Sequence, residues 1–215
     1  MDDNLKKYLP LKDQNVSRET QNDFEAFISM LKKMNEQINI ISNESAKDEI
    51  IRERHIIDSA QIIDFVDLNS KIITDIGTGG GMPGIIIAIM IKKLKNSPKI
   101  YLYEKSYHKS VFLRKVSQEL KLNTEVIQQN IFEAQNLESG TIMARAFKPL
   151  PVVLGLVYEN FSIYKNLIIF MGNSGEKILE ETLKDWDFNF EKKKSITNKD
   201  SFLLSIKNIK KKIKN

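Results

Sequence analysis

From residue 70 onward, the chain alternates short runs rich in β-branched residues with stretches of helical character. The runs are KIITDI, KIYLYE, TEVIQQ, GTIMARA and NLIIFM. Because parallel strands need a crossover connection, most often a helix, this alternation predicts a mainly parallel sheet with helices on both faces. Two further runs, around residues 186–196 and 201–206, are joined only by the polar link TNKD, which predicts an antiparallel hairpin. Together the runs predict a doubly wound, seven-stranded α/β sheet.

The first third of the chain has a different pattern. Between residues 18 and 41, apolar side chains recur at steps of three and four, the spacing of one helical face: Phe24, Phe27, Ile28, Leu31, Met34, Ile38 and Ile41. Residues 46–65 predict a second helical segment. We therefore expect a helical extension, residues 1–66, packed on a core domain of residues 67–206, with a basic tail over residues 207–215.

Composition excludes several classes of site. The chain has no cysteine, which excludes disulfides, thiolate metal ligands and cysteine nucleophiles. Its two histidines, His55 and His108, lie far apart in sequence, so no metal site is expected. No apolar run approaches the length of a membrane span, and the N-terminus lacks the pattern of an export signal. We expect a cytoplasmic monomer with no membrane partner.

The basic residues are unevenly distributed. The net charge is +5, but residues 207–215 contain five lysines, and the rest of the chain balances 28 basic against 28 acidic residues. Such a tail predicts a solvated chain end, with an RNA-binding arm as the alternative. The neutral body argues against binding of RNA by bulk charge alone.

A glycine-rich segment, DIGTGGGMPG over residues 75–84, follows the first apolar run of the sheet. Asp75, Gly77, Gly79 and Gly81 fit the D-x-G-x-G-x-G pattern of methyltransferases. Gly79, Gly81 and Gly84 also fit the G-x-G-x-x-G fingerprint of dinucleotide-binding proteins. The glycines alone leave both cofactors open, beside a third interpretation in which they only make a tight turn.

Two neighbouring residues bear on that choice. Glu104 ends the next strand, where an acidic residue accepts hydrogen bonds from the ribose hydroxyl groups of either cofactor. Pro83 lacks an N–H group at the helix start that would hold a pyrophosphate, which favours S-adenosylmethionine. Asp75 is then expected near the positive sulfonium. A parallel sheet that ends in an antiparallel hairpin is also the arrangement found in methyltransferases that use this cofactor.

Further stretches make the comparison more specific. NEQINII, ERHIIDSA, TDIGTGGGMPG, KSVFLRKV and MARAF, spread over residues 35–147, together resemble the RsmG (GidB) family of bacterial 16S rRNA guanine-N7 methyltransferases. The resemblance extends from about residue 20 to residue 206. It implies a Rossmann-like class I fold, S-adenosylmethionine as cofactor, and 16S rRNA or the small ribosomal subunit as partner.

The resemblance also assigns roles to residues. It places Gly77 and Met82 on the methionine and sulfonium side of the cofactor, and Ile131 and Phe132 against the adenine. It places Arg145 at the mouth of the site as the catalytic residue, close to cofactor and target base. Asp75, Gly79, Gly81 and Glu104 complete the expected cofactor set. Without the resemblance, Arg145 is equally well interpreted as a strand-end arginine in an ion pair.

The chain departs from the family pattern at three places. At one of them Met34 replaces a tryptophan, which only changes how a core position is filled. Asn130 and Phe132 stand within a segment that is usually R-x-E, and Met171 stands where a lysine commonly ends the fifth strand, so Lys148 is the expected substitute for contact with RNA. The departures at Asn130 and Met171 leave one alternative, a catalytically impaired assembly factor that binds cofactor and RNA. An NAD-dependent oxidoreductase is a second alternative, because the glycine segment and Glu104 also fit NAD.

The implied chemistry fits the residues present. Guanine N7 carries a free lone pair at neutral pH, so methylation there needs alignment and exclusion of water but no general base. His55 and Asp58, three residues apart on a predicted helix, are therefore expected to form a local hydrogen bond rather than a catalytic pair.

Overall fold

A computed structural model describes residues 16–42 and 46–213 of the chain. Its strands are β1 (Ile72–Ile76), β2 (Lys99–Tyr103), β3 (Thr124–Ile127), β4 (Leu137–Ala144), β5 (Phe161–Met171), β6 (Trp186–Lys194) and β7 (Phe202–Lys211). They form one sheet in the order β3-β2-β1-β4-β5-β7-β6. The first five strands are parallel, and β7 runs antiparallel to both β5 and β6. The predicted seven-stranded sheet and its terminal hairpin are both confirmed.

The helices are α1 (Arg18–Asn35), α2 (residues 48–60), α3 (Gly84–Ile91), α4 (Tyr107–Glu119), α5 (Leu150–Asn160) and α6 (Gly175–Asp185), with short 3₁₀ helices at Ile63–Phe65 and Ile131–Glu133. α1 ends six residues earlier than the apolar spacing predicts. The Oδ1 atom of Asn35 accepts the N–H groups of Ile40 and Ile41 at 2.8 and 2.9 Å. This side chain competes with the helical backbone and turns the chain.

α2 is not a regular α-helix. An α turn, Asp48–Ile50, leads into a π-helix, Ile51–Ile57, and a second α turn, Asp58–Ala60, follows. The backbone N–H of Asp58 donates to the carbonyl of Glu53, five residues earlier. This widened turn brings residues 53 and 58 onto the same side of the helix.

The N-terminal helices share a core with one face of the sheet. α3, with the sequence GIIIAIMI, is apolar on all sides, and every residue except Met90 is buried. A helix of this kind needs cover all round. α1 supplies part of it through Phe24, Phe27 and Leu31, which are fully buried in the same cluster as Ile85. Each such side chain contributes about 2 kcal/mol on burial. α5 and α6 cover the opposite face.

A buried polar chain fixes the segment between α2 and β1 to the middle of the sheet. The Thr141 hydroxyl is hydrogen-bonded at 2.9 Å to the N–H of Asp67 and to the Oδ1 atom of Asn166. The Asn166 amide nitrogen donates to the Phe65 carbonyl and to the Ser205 hydroxyl. Because each group is paired inside the sheet, the helical extension is held in one position relative to the strands.

The end of the chain differs from the sequence expectation. β7 continues to Lys211, which pairs with Trp186, so the tail boundary predicted at residue 207 is too early. Residues 214 and 215 of that tail, and residues 1–15 of the predicted extension, lie outside the described part. Within residues 16–42 and 46–213, no helix has both the length and the apolar character needed to cross a membrane.

Candidate functional site

The order of the strands reverses at β1. From β1 the chain proceeds to β2 and β3 on one side, and β4 then returns to the other side. In an open α/β sheet, the carboxyl ends of the strands at such a point diverge and form a crevice. A cleft of about 450 Å³ opens there, lined by the glycine segment and by residues that follow β2, β3 and β4. We call it the glycine-loop cleft.

The glycine segment has the backbone that only glycine adopts freely. Gly77, Gly79 and Gly81 have φ values of +69°, +58° and +94°. A Cβ atom added to Gly79 would have only the Gly77 carbonyl oxygen near it, at 3.9 Å, so this position faces the open cleft. A Cβ on Gly81 would come within 2.6 Å of Ile85 and 3.0 Å of Leu113. Gly81 therefore serves close packing of the helices.

Asp75 closes the N-terminus of α3. Its Oδ2 atom accepts the N–H of Gly84 at 2.8 Å, and the residue is 1% exposed. Burial raises the pKa of Asp75 to about 6, opposed by the Thr78 hydroxyl and the Gly84 N–H and by the charge of Arg145. One of the N–H groups at this helix end is thus engaged from within the fold, and Pro83 before it has none, which disfavours a pyrophosphate.

Glu104 connects the end of β2 to the glycine segment and lines the cleft. Its Oε2 atom accepts the N–H of Gly79 at 3.0 Å, and its Oε1 atom accepts the N–H of Ser106 at 2.7 Å. These bonds hold the carboxylate in one orientation. Each carboxylate oxygen has a further lone pair, so Glu104 can still accept hydrogen bonds from hydroxyl groups of a ligand.

The segment after β3 supplies the other end of the cleft. Ile131 is 2% exposed and lines it, whereas Phe132 lies outside the lining and is 41% exposed. The Phe132 ring stacks on Phe147, with 5.9 Å between ring centroids. Phe147 in turn covers Gly77, where an added Cβ would lie 2.1 Å from its ring. Phe147 is thus a cleft residue that the sequence patterns did not single out.

The structure divides the residues assigned to the cofactor. Those that line the cleft are Gly77, Gly79, Met82, Glu104, Ile131 and Arg145. Three others, Asp75, Gly81 and Phe132, are not among the described lining residues. The Asp75 carboxylate lies beneath the loop, Gly81 packs against Ile85 and Leu113, and the Phe132 ring is exposed beside Phe147. Contact of these three residues with the cofactor stays a prediction.

Arg145 follows β4 and is held on three sides. Its Nε atom lies 3.1 Å from Asp58 Oδ2, Nη1 donates to the Ser59 hydroxyl at 3.3 Å, and Nη2 donates to the Arg54 carbonyl. The guanidinium also lies over the Phe170 ring, 5.7 Å from its centroid. Burial lowers the pKa of Arg145, and Asp58 opposes the shift. Two of the five N–H donors form hydrogen bonds and the Nε–H lies against the Asp58 carboxylate, which leaves two donors for a ligand.

The expected hydrogen bond between His55 and Asp58 is wrong. Asp58 instead pairs with Arg145 and accepts hydrogen bonds from Gln61 and Thr197. Both ring nitrogens of His55 are buried at the cleft wall without a hydrogen-bond partner among the described residues. Burial, and then the charges of Arg145 and nearby Arg54, lower the pKa of His55 to about 4. A buried polar group of this kind at a cleft wall is suited to a ligand partner.

The depressed pKa of His55 predicts a pH dependence of stability. The unfolded chain binds a proton on His55 below pH ~6.5, and the folded chain does so only below about 4. Between these values the unfolded state binds more protons, so stability falls as the pH falls. The full shift corresponds to about 3 kcal/mol, which partial exposure reduces to about 2 kcal/mol.

Urea unfolding of wild type and His55→Gln from pH 7 to pH 4 measures this contribution. We expect the wild type to lose about 2 kcal/mol more than the variant over this range, because glutamine does not titrate. His108→Gln, the same change at an exposed histidine, is the matched control for the substitution. Parallel curves for His55→Gln and wild type would contradict the assignment of a buried neutral imidazole.

Other cleft residues come from separated parts of the chain. Ile40 and Ile41, held by Asn35, form one wall, and a Cβ on Gly80 would lie 2.9 Å from Ile40. Three lysines also line the cleft: Lys105, Lys109 and Lys148. Lys148 was the expected substitute for the missing lysine after the fifth strand. Within the described ranges, no cluster of three or more histidine, aspartate or glutamate side chains is arranged to hold a metal ion.

Comparison with known proteins identifies the family. Residues 20–205 match the family model of rRNA small subunit methyltransferase G. The chain belongs to this family. A ribosomal RNA small subunit methyltransferase G from Pelagibacter ubique is 72% identical over 212 residues, 99% of this chain and 100% of the relative. A second member of the methyltransferase G family, from Ruegeria pomeroyi, is 32% identical over 89% of this chain and 93% of its own length. The resemblance inferred from the motifs is confirmed.

Solved structures agree on the fold of this methyltransferase G family member. A S-adenosylmethionine-dependent methyltransferase from Aquifex aeolicus aligns with a TM-score of 0.54 at 13% identity, covering 83% of this chain and 97% of that chain. A mutant of MtNAS in complex with S-adenosylmethionine has the same TM-score and identity, covering 87% of this chain and 75% of that chain. The predicted Rossmann-like class I methyltransferase fold is therefore confirmed.

Proposed function

We propose that this protein transfers a methyl group from S-adenosylmethionine to N7 of one guanine in 16S rRNA, as a monomer in the cytoplasm. Family membership supports the reaction class, since the relatives are named ribosomal RNA small subunit methyltransferases. The observation that carries the choice of cofactor is the Asp75 carboxylate on the Gly84 N–H group. It engages the Gly84 N–H at the start of α3, where Pro83 has no N–H to donate, so few donors remain for a pyrophosphate, and S-adenosylmethionine has no phosphate.

The residues of the glycine-loop cleft fit this cofactor. Glu104 offers acceptors for the ribose hydroxyls, and buried Ile131 gives an apolar surface for the adenine. Gly77, Gly79 and Met82 form the wall on the methionine and sulfonium side. The cleft volume of about 450 Å³ lies within the ordinary range for a ligand of this size. Asp75 and Gly81 shape this wall from behind, and Phe132 supports the Phe147 ring.

The chain contributes to the reaction by aligning the cofactor with the guanine base and by excluding water from them. When bound, S-adenosylmethionine supplies an electrophilic methyl group, which the N7 lone pair of guanine takes up without loss of a proton. Arg145, rigid through its bonds to Asp58 and Ser59, holds its two remaining donors at the mouth of the cleft. His55 stays neutral at pH 7 and adds no positive charge beside the sulfonium. Preorganised groups of this kind lower the barrier because they need no rearrangement.

Methyl transfer to ribosomal RNA tests the proposal directly. Labelled S-adenosylmethionine is incubated with purified protein and with small subunits, or 16S rRNA, that lack the modification. We expect label in 7-methylguanosine at one position. Binding of S-adenosylmethionine without transfer would instead favour a non-catalytic assembly factor, and binding of NAD alone would favour the oxidoreductase. Calorimetry with each cofactor distinguishes these outcomes.

A further inference from the structure

A second cleft, of about 570 Å³, adjoins the glycine-loop cleft. Arg145 and Ala146 line both clefts. The walls of the second cleft come from α2, from the end of β5 and from the loop that joins β6 to β7. The two clefts are thus adjacent at the same edge of the sheet. A group bound in the second cleft therefore lies next to a ligand of the first, and Arg145 borders both.

The lining of the second cleft suits a flat, unsaturated ring. Phe170, with the largely buried Met171 and Phe202, contributes apolar lining, and the guanidinium of Arg145 lies over the Phe170 ring, 5.7 Å from its centroid. Unstacked nucleobases bind proteins by stacking on aromatic rings and on arginine planes. Enzymes that modify a base commonly take it out of its stack into such a pocket. This surface favours a nucleobase as the occupant.

One carboxylate in the second cleft is not engaged by the protein. Asp58 is occupied by Arg145, Gln61 and Thr197. Glu53, brought to the same side of α2 by the π-helical turn, is exposed and lines the cleft, and its carboxylate forms no ion pair with the described residues. A carboxylate without a cationic partner repels RNA phosphates. If this cleft binds RNA, we therefore expect the carboxylate to accept hydrogen bonds from a donor group of the ligand.

We propose, building on the proposed function, that the second cleft binds the target guanine with its Watson–Crick edge against Glu53. Guanine presents two adjacent donors on that edge, N1–H and the 2-amino group, and a carboxylate accepts both at once. Adenine and cytosine each place an acceptor beside their amino group, and uracil has a single donor there. N7 lies on the opposite side of the guanine ring from this edge. Glu53 therefore selects guanine and leaves N7 facing the glycine-loop cleft.

The variant Glu53→Gln distinguishes a hydrogen bond from Glu53 to guanine from a general electrostatic effect of its charge on RNA binding. Removal of a negative charge near RNA strengthens non-specific binding, whereas loss of a charged hydrogen bond to guanine weakens the productive complex. We expect kcat/KM for methyl transfer to fall about 10- to 100-fold, with unchanged affinity for S-adenosylmethionine. The control is Glu49→Gln, an identical charge change at an exposed residue one turn earlier. It should keep or slightly raise kcat/KM.

A change on the RNA side makes the test specific. In 16S rRNA whose target guanosine is replaced by inosine, the 2-amino group is absent and N7 remains. We expect inosine to lower kcat/KM strongly for wild type and only weakly for Glu53→Gln, because the two changes remove the same interaction. A kcat/KM of Glu53→Gln within twofold of the wild-type value would overturn this role of Glu53. Additive losses from the variant and from inosine would overturn it as well. Absence of transfer by wild type would overturn the proposed function itself.

Discussion

Replacing Arg145 with alanine is expected to lower both the stability of the fold and the rate of methyl transfer. The substitution leaves Asp58, whose side chain is 17% exposed, without its guanidinium partner. Breaking a buried ion pair on one side costs about 3–5 kcal/mol. Asp58 keeps its bonds to Gln61 and Thr197, so we expect the lower end, about 3 kcal/mol. For a chain of this size, that corresponds to a fall in Tm of about 6–12 °C.

Thermal unfolding of Arg145→Ala, Asp58→Ala and the double variant measures the interaction between Arg145 and Asp58 separately from the contacts that each residue makes with others. We expect the double variant to lose less than the sum of the single losses, because removal of both charges leaves neither unpaired. Arg145→Lys keeps the charge but not the planar arrangement of donors to Ser59 and Arg54, and should melt between wild type and Arg145→Ala. A Tm within 2 °C of wild type for Arg145→Ala would contradict a structural role for the ion pair.

Methyl transfer by Arg145→Ala, measured well below its Tm, tests the functional part of the role. We expect kcat to fall by at least about 100-fold if the two spare donors stabilise the reacting groups. Loss of activity only in proportion to the unfolded fraction would leave Arg145 as a structural residue. The measurement is single-turnover transfer at a temperature where circular dichroism shows the variant to be folded.

The seven strands, their mainly parallel arrangement and the terminal hairpin were predictable from the sequence because they follow from local patterns. Short apolar runs separated by helical stretches leave few topologies for the sheet, and TNKD leaves no room for a crossover helix. The ends of elements were less predictable. α1 ends where the Asn35 side chain binds two backbone N–H groups, and β7 extends because Lys211 pairs with Trp186, a residue distant in sequence. Neither interaction leaves a periodic signal.

The cofactor motif was identified from the sequence, but the sequence did not show which of its positions face the cleft and which face the packed helices. Gly79 and Gly81 occupy alternate positions of one pattern, yet Gly79 faces the cleft and Gly81 packs against Ile85. The difference depends on backbone angles that the pattern does not specify. His55 was misassigned for a related reason, because helical spacing assumed an α-helix where the chain forms a π-helix. The second cleft combines segments more than 140 residues apart, as between Glu53 and Ser201.

Gly79→Asp is expected to abolish useful binding of S-adenosylmethionine while the fold persists. The Cβ position is open, so the new side chain enters the glycine-loop cleft. There it lies close to Glu104, whose Oε2 atom accepts the Gly79 N–H at 3.0 Å. Steric filling and repulsion between two carboxylates together should weaken binding at least about 100-fold, or about 3 kcal/mol. The left-handed backbone at φ +58° costs an aspartate about 1 kcal/mol of stability.

Two control variants distinguish the causes. Gly79→Asn has nearly the same volume and tolerates the same backbone without the charge, so its affinity loss by calorimetry measures steric filling alone, and the excess loss of Gly79→Asp measures repulsion by Glu104. Gly81→Asp should lower the stability of the fold more than the affinity for the cofactor. Its Cβ would lie 2.6 Å from Ile85 and disturb the packing of α3 and α4. Unchanged affinity in Gly79→Asp would move the cofactor away from this loop.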